Sequence, residues 1–188
     1  MTILFSYVVE HDSGFAPNPS GGFCTLAKCK YKKEGRTRRN IVELAEKGDW
    51  VIGTGGLGKT SAGHGKLIYA MRVDEKLTLA DYYRDERFQG RIDNTVDESH
   101  RVDKFALISQ RFFYFGRNAV DVDAIPKRHL THPLEKKGPY FRSDFSEEFI
   151  EDFVEWLERS YETGVHGEPC GHRGKLYVQI RKKNRCEC

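Results

Sequence analysis

Alternating apolar and polar positions divide much of the chain into short β-strands. Residues 3–9 alternate in this way and are rich in β-forming side chains, which predicts a first strand. Similar patterns predict further strands over residues 23–27, 49–53, 66–73, 105–113, 119–124 and 176–180. Glycine-, proline- and asparagine-rich residues predict a loop over 11–22, and glycines predict another over 53–65.

The clearest helix is predicted over residues 144–163, because large apolar side chains recur there every four positions. They are Phe145, Phe149, Phe153, Leu157 and Tyr161. Asp144 followed three residues later by Glu147 is typical of a helix start, and Gly164 of a helix end. We interpret the many acidic residues between them as the solvated face of a helix that packs on the core.

Two shorter helices are predicted earlier in the chain, one over residues 37–47 and one from an N-cap at Thr78 through Tyr83. Residues 89–104 are polar and lack periodicity, so we expect an exposed excursion there. Residues 116–118 predict a turn between the strands predicted over 105–113 and 119–124.

These elements predict one α+β domain over residues 1–188, with a core over 1–125 and the long helix and a basic tail over 140–188. A chain of 188 residues can bury a core of ordinary size. No apolar run approaches the roughly 20 residues of a membrane span. The five cysteines are an odd number and the first residues do not resemble a signal peptide, so we expect reduced thiols, a cytoplasmic location and no membrane partner.

The net charge of +3 conceals a separation of positive and negative residues along the chain. Residues 143–164 hold eight acidic residues and one base, so the remainder is +10. Seven of the positive charges lie in residues 28–39. A basic body attracts phosphates, and a solvated basic loop is the alternative.

Residues 53–60 match the phosphate-binding pattern G-x-x-x-x-G-K-S/T after a predicted strand. A phosphate-binding P-loop requires a helix directly afterwards, because the amides at its N-terminus help to hold the phosphates. The glycines at 63 and 65 and the β-forming residues after them predict no such helix. We interpret this stretch as a flexible loop between two strands, in which amides, Lys59 and Lys66 can still contact phosphate.

The spacing of cysteine and histidine residues does not favour a metal site, and we expect neither a metal nor a cofactor. Cys24 and Cys29 have no matching second pair, and the set near the C-terminus is irregular. A nucleophilic role for Cys24 stays open, but a small buried side chain is the favoured interpretation.

The loop over residues 12–19 carries a carboxylate, a ring and an amide between residues that restrict the backbone. These are Asp12, Phe15 and Asn18, and the loop also contains one glycine and two prolines. Such a loop suits a base pocket, in which the ring stacks and the two polar groups read base edges. A structural Asx or proline turn is the alternative.

The order of several longer motifs resembles the nucleotide modification associated domain, type two. They are Y-V-V at 7–9, D-S-G-F-A-P-N-P at 12–19, C-T-L-A-K-C-K at 24–30, G-D-W-V-I-G-T-G at 48–55, G-K-L-I-Y-A-M-R-V at 65–73, D-Y-Y-R-D-E-R-F at 81–88 and Y-F-G at 114–116. The resemblance is dense over residues 3–120 and loose over the long helix. Ser20 stands where the family usually has an aromatic residue, and Tyr31 with a basic insertion follows Cys-Lys in place of the usual proline.

The same motif order is similar to the small barrels related to pseudouridine synthase and archaeosine transglycosylase (PUA) domains, some of which hold a flipped base. This analogy implies a PUA-like, barrel-like sheet of mixed or antiparallel strands with flanking helices. It also implies that Trp50, Thr54 and Tyr69 lie on adjacent strands beside one cleft. The candidate binding residues are Tyr7, Phe15, Asn18, Trp50, Thr54, Lys59, Lys66, Tyr69 and Arg72.

Three functions remain as hypotheses. The leading one is a nucleic-acid-associated protein, acting on DNA in preference to RNA or on a nucleotide, that recognises or helps to process modified bases. The second is an enzyme of base modification or removal, with Asp12 and Lys66 as candidate catalytic residues. The third is a protein-interaction module that docks through the acidic helix.

Overall fold

The structure is a computed structural model that describes residues 1–27, 40–94, 104–135 and 140–171, and it has the predicted mixed α+β architecture. The strands are β1 (Leu4–His11), β2 (Cys24–Leu26), β3 (Trp50–Thr60), β4 (Lys66–Arg72), β5 (Glu75–Thr78), β6 (Phe105–Ser109), β7 (Phe112–Tyr114), β8 (Val120–Asp121), β9 (Phe141–Arg142) and β10 (Gly164–Val165). The helices are α1 (Ile41–Leu44), α2 (Leu79–Arg84) and α3 (Glu147–Ser160), with short 3-10 helices at Glu86–Phe88, Gly116–Asn118 and Val122–Ala124.

The larger of two sheets has the strand order β10-β7-β4-β3-β1-β9, with β8 paired to β4. Strands β1 and β3 are parallel, whereas β4 is antiparallel to both β3 and β7. A second, antiparallel sheet has the order β2-β6-β5. The mixed sheet is therefore as predicted, but among the described residues its path is open, with ends at β9 and β10. The predicted barrel-like closure is not seen there, because the strand pairings do not join the edge strands β9 and β10 to each other.

The two faces of the larger sheet form two separate hydrophobic clusters. On one face Leu4, Trp50, Ile52 and Phe113 pack with the apolar side of α3. On the other face are Phe5, Tyr7, Val51, Tyr69 and Tyr114, packed with residues of β2, β6 and α1. This division follows from the alternation of side chains along each strand.

Strand β3 continues to Thr60, through glycines that the sequence assigned to a loop. It pairs with β1 as far as the contact between His11 and Thr60. Glycine is required inside the strand because a Cβ on Gly53 would overlap the Tyr69 ring, and one on Gly55 would overlap the carbonyl of Gly63. The predicted flexible loop is therefore wrong over 53–60, and only residues 61–65 connect β3 to β4.

Helix α3 confirms the predicted amphipathic helix but begins and ends inside the predicted range. Its N-cap is Ser146, whose hydroxyl accepts a hydrogen bond from the Phe149 amide at 3.2 Å. Asp144 instead forms an ion pair with Arg142. Gly164 lies beyond the end of the helix and belongs to β10.

The remaining elements agree with the sequence in part. Thr78 caps α2 by accepting the Asp81 amide, as predicted. The strand predicted over 105–113 is two strands, β6 and β7, and the one over 119–124 is the short β8 followed by a 3-10 helix. Helix α1 is limited to Ile41–Leu44 among the described residues. Three predicted features lie outside the described residues. They are the start of the helix predicted over 37–47, the strand predicted over 176–180 and the basic tail. No helix in the described ranges is long and apolar enough to cross a membrane.

Truncating α3 at its buried face should destabilise the protein. Leu157 is fully buried in the cluster that joins α3 to the sheet, so Leu157→Ala should lower the free energy of unfolding by about 2–5 kcal/mol. Urea denaturation measures this loss. The matched control is Glu151→Ala on the exposed side of the same helix, which should change stability by less than about 0.5 kcal/mol. Equal effects of the two variants would contradict the packing of α3.

Candidate functional site

The loop that follows β1, residues 12–20, carries three of the predicted site residues and is called the 12–20 loop below. Asp12 at its start is 1% exposed and Asn18 near its end is 2% exposed. Phe15, midway between them, is only partly buried. The loop therefore enters the interior at both ends and reaches the surface in its middle.

Asp12 is held by β7 and by the segment of residues 164–171, which is called the 164–171 strap. The Tyr114 hydroxyl donates a hydrogen bond to Oδ1 of Asp12, and the Cys170 amide donates to Oδ2 at 2.9 Å. The Asp12 carbonyl accepts the Gly171 amide at 2.7 Å, and the Asp12 amide donates to the Thr60 carbonyl at 3.0 Å. Both carboxylate oxygens and both backbone groups of Asp12 are thus occupied by protein partners.

The strap also limits the shape of the loop at Gly14. This glycine has a φ of +71°, and a Cβ added to it would lie 2.7 Å from the Pro169 side chain. A side chain at position 14 would therefore be strained and would press on the strap. The requirement for glycine here follows from both backbone conformation and space.

The groups that face Asp12 remain protonated at neutral pH. Burial and the nearby Asp12 carboxylate raise the pKa of the Tyr114 hydroxyl far above its ordinary value. The same two causes raise the pKa of the Cys170 thiol to about 12. Tyr114 therefore serves as a hydrogen-bond donor, and Cys170 is a weak nucleophile because little thiolate forms.

Asn18 is also fully engaged within the protein. Its amide nitrogen donates to Oδ1 of Asp93 at 2.7 Å, and its side-chain oxygen accepts the Ser20 hydroxyl at 2.8 Å. The prediction that Asp12 and Asn18 read base edges is not supported by this geometry, because their polar atoms are occupied and buried. Of the three predicted groups in the loop, Phe15 alone is partly exposed.

A buried ion pair that the sequence did not predict lies beside Asn18. Arg91 and Asp93 are 8% and 0% exposed, and their side chains are 3.3 Å apart. With Asn18, Thr25 and Tyr82 they form a hydrogen-bonded group, called the Arg91–Asp93 cluster. The excursion predicted over 89–104 is therefore wrong at these two positions, and residues 95–103 lie outside the described ranges. The sequence offered one indication of this pair, which is that residues of opposite charge lie two positions apart. That pattern is common on protein surfaces and does not indicate burial.

Tyr7, Thr54 and Tyr69 lie together in the interior. The Tyr69 hydroxyl donates to the Tyr7 hydroxyl at 2.9 Å, and the Thr54 hydroxyl donates to the Tyr7 carbonyl at 3.3 Å. Trp50 packs on the opposite face of the sheet, beside Phe113 at a ring distance of 6.5 Å. The predicted common cleft for Trp50 and Tyr69 is wrong, because side chains in their registers project to opposite faces.

The predicted phosphate contacts of the glycine-rich strand are partly occupied. The Gly56 amide donates to the Ser61 hydroxyl at 2.8 Å, and the Gly58 amide to a Glu10 carboxylate oxygen at 2.9 Å. The chain forms a turn and then β4 after Thr60 instead of a helix, which confirms the rejection of a P-loop. A carboxylate at the Gly58 amide also disfavours a phosphate there.

The three predicted basic contacts are at the surface. Lys59 is exposed, Lys66 lies 3.1 Å from Asp121, and Arg72 lies 3.9 Å from Asp74. Over the described residues there are 15 Lys and Arg against 23 Asp and Glu. The expectation of a basic body is therefore wrong for these residues, whose net charge is −8. The excess of positive charge lies in the remaining segments, above all 28–39 and 172–188.

No group of three or more potential metal ligands occurs in the described part of the chain. Cys24 is completely buried. Burial is the largest cause that raises the pKa of its thiol well above the usual range, so Cys24 is suited to packing and not to nucleophilic attack.

The chain forms an α+β domain in which Phe15 is partly exposed in a loop whose ends are held by the buried polar residues Asp12 and Asn18. The chain belongs to the family of nucleotide modification associated domain 2, whose family model matches residues 1–103 and 93–175. Comparisons with curated proteins and with solved structures gave no match. The family description associates the chain with nucleotide modification.

Removing the Tyr114 hydroxyl should destabilise the protein in a pH-dependent manner. Tyr114→Phe leaves a buried Asp12 oxygen without its donor, which should cost about 1–3 kcal/mol near pH 7. The pKa of Tyr114 is raised in the folded state, so its contribution is complete below the unfolded pKa near 10 and declines as pH rises above it. The deficit of the variant should therefore shrink above about pH 10, as measured by urea unfolding between pH 7 and 11.

The control for this series is Tyr140→Phe, because Tyr140 is 38% exposed. This variant should differ little from the wild type at pH 7. A Tyr114→Phe deficit that stays constant or grows above pH 10 would contradict the role assigned to the Tyr114 hydroxyl.

Proposed function

We propose that this protein binds nucleic acid, DNA in preference to RNA, and recognises or helps to process a modified base. Membership of the nucleotide modification family supports a role connected with modified nucleotides. The proposed contact is the 12–20 loop, in which Phe15 stacks on an extruded or altered base. Every base has a π-face, so a ring at the surface can contact many modified bases.

The occupation of Asp12 is the observation that carries this proposal. A general base needs a free oxygen within reach of a substrate proton, whereas both Asp12 oxygens accept hydrogen bonds from Tyr114 and Cys170. The other candidate catalytic residue, Lys66, forms an exposed ion pair with Asp121. This geometry favours a binding role over the alternative of an enzyme with Asp12 and Lys66 as its catalytic pair.

Phosphate contacts in this proposal come from the basic segment at residues 28–39. The described surface is acidic overall, and many of its cations contact carboxylates, including Lys76, Arg87 and Lys127. Residues 28–39 hold seven basic residues and one acidic residue. In this proposal residues 28–39 provide salt-sensitive affinity for the phosphate backbone of the nucleic acid, and the 12–20 loop provides discrimination between bases.

Replacing the partly exposed Phe15 ring should reduce discrimination between bases. Phe15→Ala should weaken binding to the preferred modified oligonucleotide by about 5- to 140-fold, the equivalent of one base stack of about 1–3 kcal/mol. Fluorescence anisotropy with matched plain and modified oligonucleotides measures the change. The control is Tyr140→Ala, which removes a partly exposed ring outside the loop and should leave affinity unchanged.

Two outcomes would count against the proposed function. Wild-type protein that binds no plain or modified oligonucleotide at low salt would exclude nucleic-acid binding by this chain under those conditions. Unchanged discrimination in Phe15→Ala would exclude the loop as the base contact. Loss of a base or a change of mass in modified DNA, absent with Asp12→Asn, would instead support the enzyme alternative.

The basic segment should set the salt dependence of binding. Replacing Lys30 and Lys32 with Gln should flatten the plot of log affinity against log salt by up to about 1.8, since each phosphate contact contributes about 0.9. Anisotropy titrations at several salt concentrations give this slope. The matched control replaces Lys76 and Lys127, which contact Glu46 and Asp123, and should change the slope less. An equal change in both pairs would contradict a localised phosphate contact.

A further inference from the structure

The Arg91–Asp93 cluster connects the 12–20 loop to helix α2 and the smaller sheet. The Asp93 carboxylate accepts hydrogen bonds from the Asn18 amide, the Tyr82 hydroxyl and the Thr25 hydroxyl, as well as from Arg91. These donors belong to the loop, α2 and β2. One fully buried carboxylate therefore ties three segments together.

Arg91 acts on the backbone of the same loop. Its guanidinium donates to the carbonyl of Ser20, to that of Asn18 at 2.8 Å, and to the Thr25 hydroxyl at 2.9 Å. A planar guanidinium with donors on several nitrogens can hold two neighbouring carbonyls in a fixed geometry, which a lysine cannot do. Arg91 thus fixes the path of the chain at the end of the loop.

A buried ion pair is a poor choice where stability alone is required. The cost of removing two charges from water offsets much of their attraction, and well-packed apolar residues of similar volume are often as stable. A fully satisfied polar group, in contrast, favours one geometry of the segments that it joins. The feature that this cluster specifies is the position of residues 18–20 relative to α2.

The opposite end of the loop is fixed independently by Asp12, Tyr114 and the 164–171 strap. Phe15 lies three residues from Asp12 and three residues from Asn18. Both ends of the short connection that carries the ring are therefore held by buried carboxylates. A shift at either end would move the ring.

We propose that Arg91 and Asp93 are positioning residues, which hold the 12–20 loop so that Phe15 is presented to a base. This inference rests on the proposed function, because it takes Phe15 as the base contact. The cluster would then affect base discrimination by positioning Phe15, without contacting the nucleic acid itself.

A double-mutant cycle that combines Asp93→Asn with Phe15→Ala tests whether the cluster acts through Phe15. Asp93→Asn should weaken binding to the preferred modified oligonucleotide by a factor that approaches the loss in Phe15→Ala, with an unchanged salt slope. In the Phe15→Ala background it should cause no further loss, because the ring that it positions is already absent. General loosening of the protein would instead weaken binding in both backgrounds, and that result would overturn the proposal.

Arg91→Lys is the second variant, in case Asp93→Asn does not fold. It retains the charge opposite Asp93 but loses the fork that reaches two carbonyls, so it should also reduce discrimination. Tyr83→Phe is the control, because it removes a hydroxyl from α2 beside Tyr82 and leaves the contacts of Asp93 in place. Full discrimination in Arg91→Lys and Asp93→Asn would overturn the proposal.

Hydrogen exchange supplies a readout that does not depend on binding. The amides of Asn18 and Thr25 bond to each other's carbonyls at 2.9 and 3.0 Å, so Asp93→Asn should raise exchange in peptides that cover 12–25 but not in β3 and β4. Unchanged exchange at 12–25 would overturn the inference. If the wild type binds no oligonucleotide, the proposed function fails, and exchange alone decides whether the cluster holds the loop.

Discussion

Asp12 enters the interior directly after β1, where a carboxylate without partners would be costly to bury. The Tyr114 hydroxyl and the Cys170 amide meet this requirement from two distant parts of the chain. Because these partners come from β7 and from the strap after α3, the start of the loop can take its place only when both elements are in position. The geometry at the start of the loop thus depends on β7 and on the strap, which are distant from it in sequence.

The parallel pairing of β1 and β3 explains why the loop lies where it does. Adjacent parallel strands need a crossover connection, because the chain must return to the edge from which it began. Residues between β1 and β3 provide that crossover and include the loop, β2 and α1. Residues of β2 and α1 pack on one face of the sheet, and α3 covers the other. The loop therefore lies at the junction of the two sheets, where buried polar groups from both can reach it.

The sequence predicted the elements whose evidence is local, and it failed where tertiary contacts decide. The spacing of Phe149, Phe153 and Leu157 sufficed for α3, and Thr78 sufficed for the start of α2. The glycines of β3 indicated a loop, because a sequence does not show that the Tyr69 ring needs the space at Gly53. The buried positions of Arg91 and Asp93 could not be predicted either, since their partners in the 12–20 loop and in β2 are 66 to 75 residues away along the chain.

The same limit applies to the candidate site. Family motifs drew attention to Asp12, Phe15 and Asn18, and residue type alone suggested that the two polar groups face a ligand. Their hydrogen bonds show that a carboxylate and an amide in such a loop can serve to fix its shape. In the proposed function the remaining ring would be the least specific of the three groups, because stacking tolerates many bases. Discrimination by this loop would then arise from the space and orientation that its fixed ends leave around Phe15, and not from reading the hydrogen-bonding edge of a base.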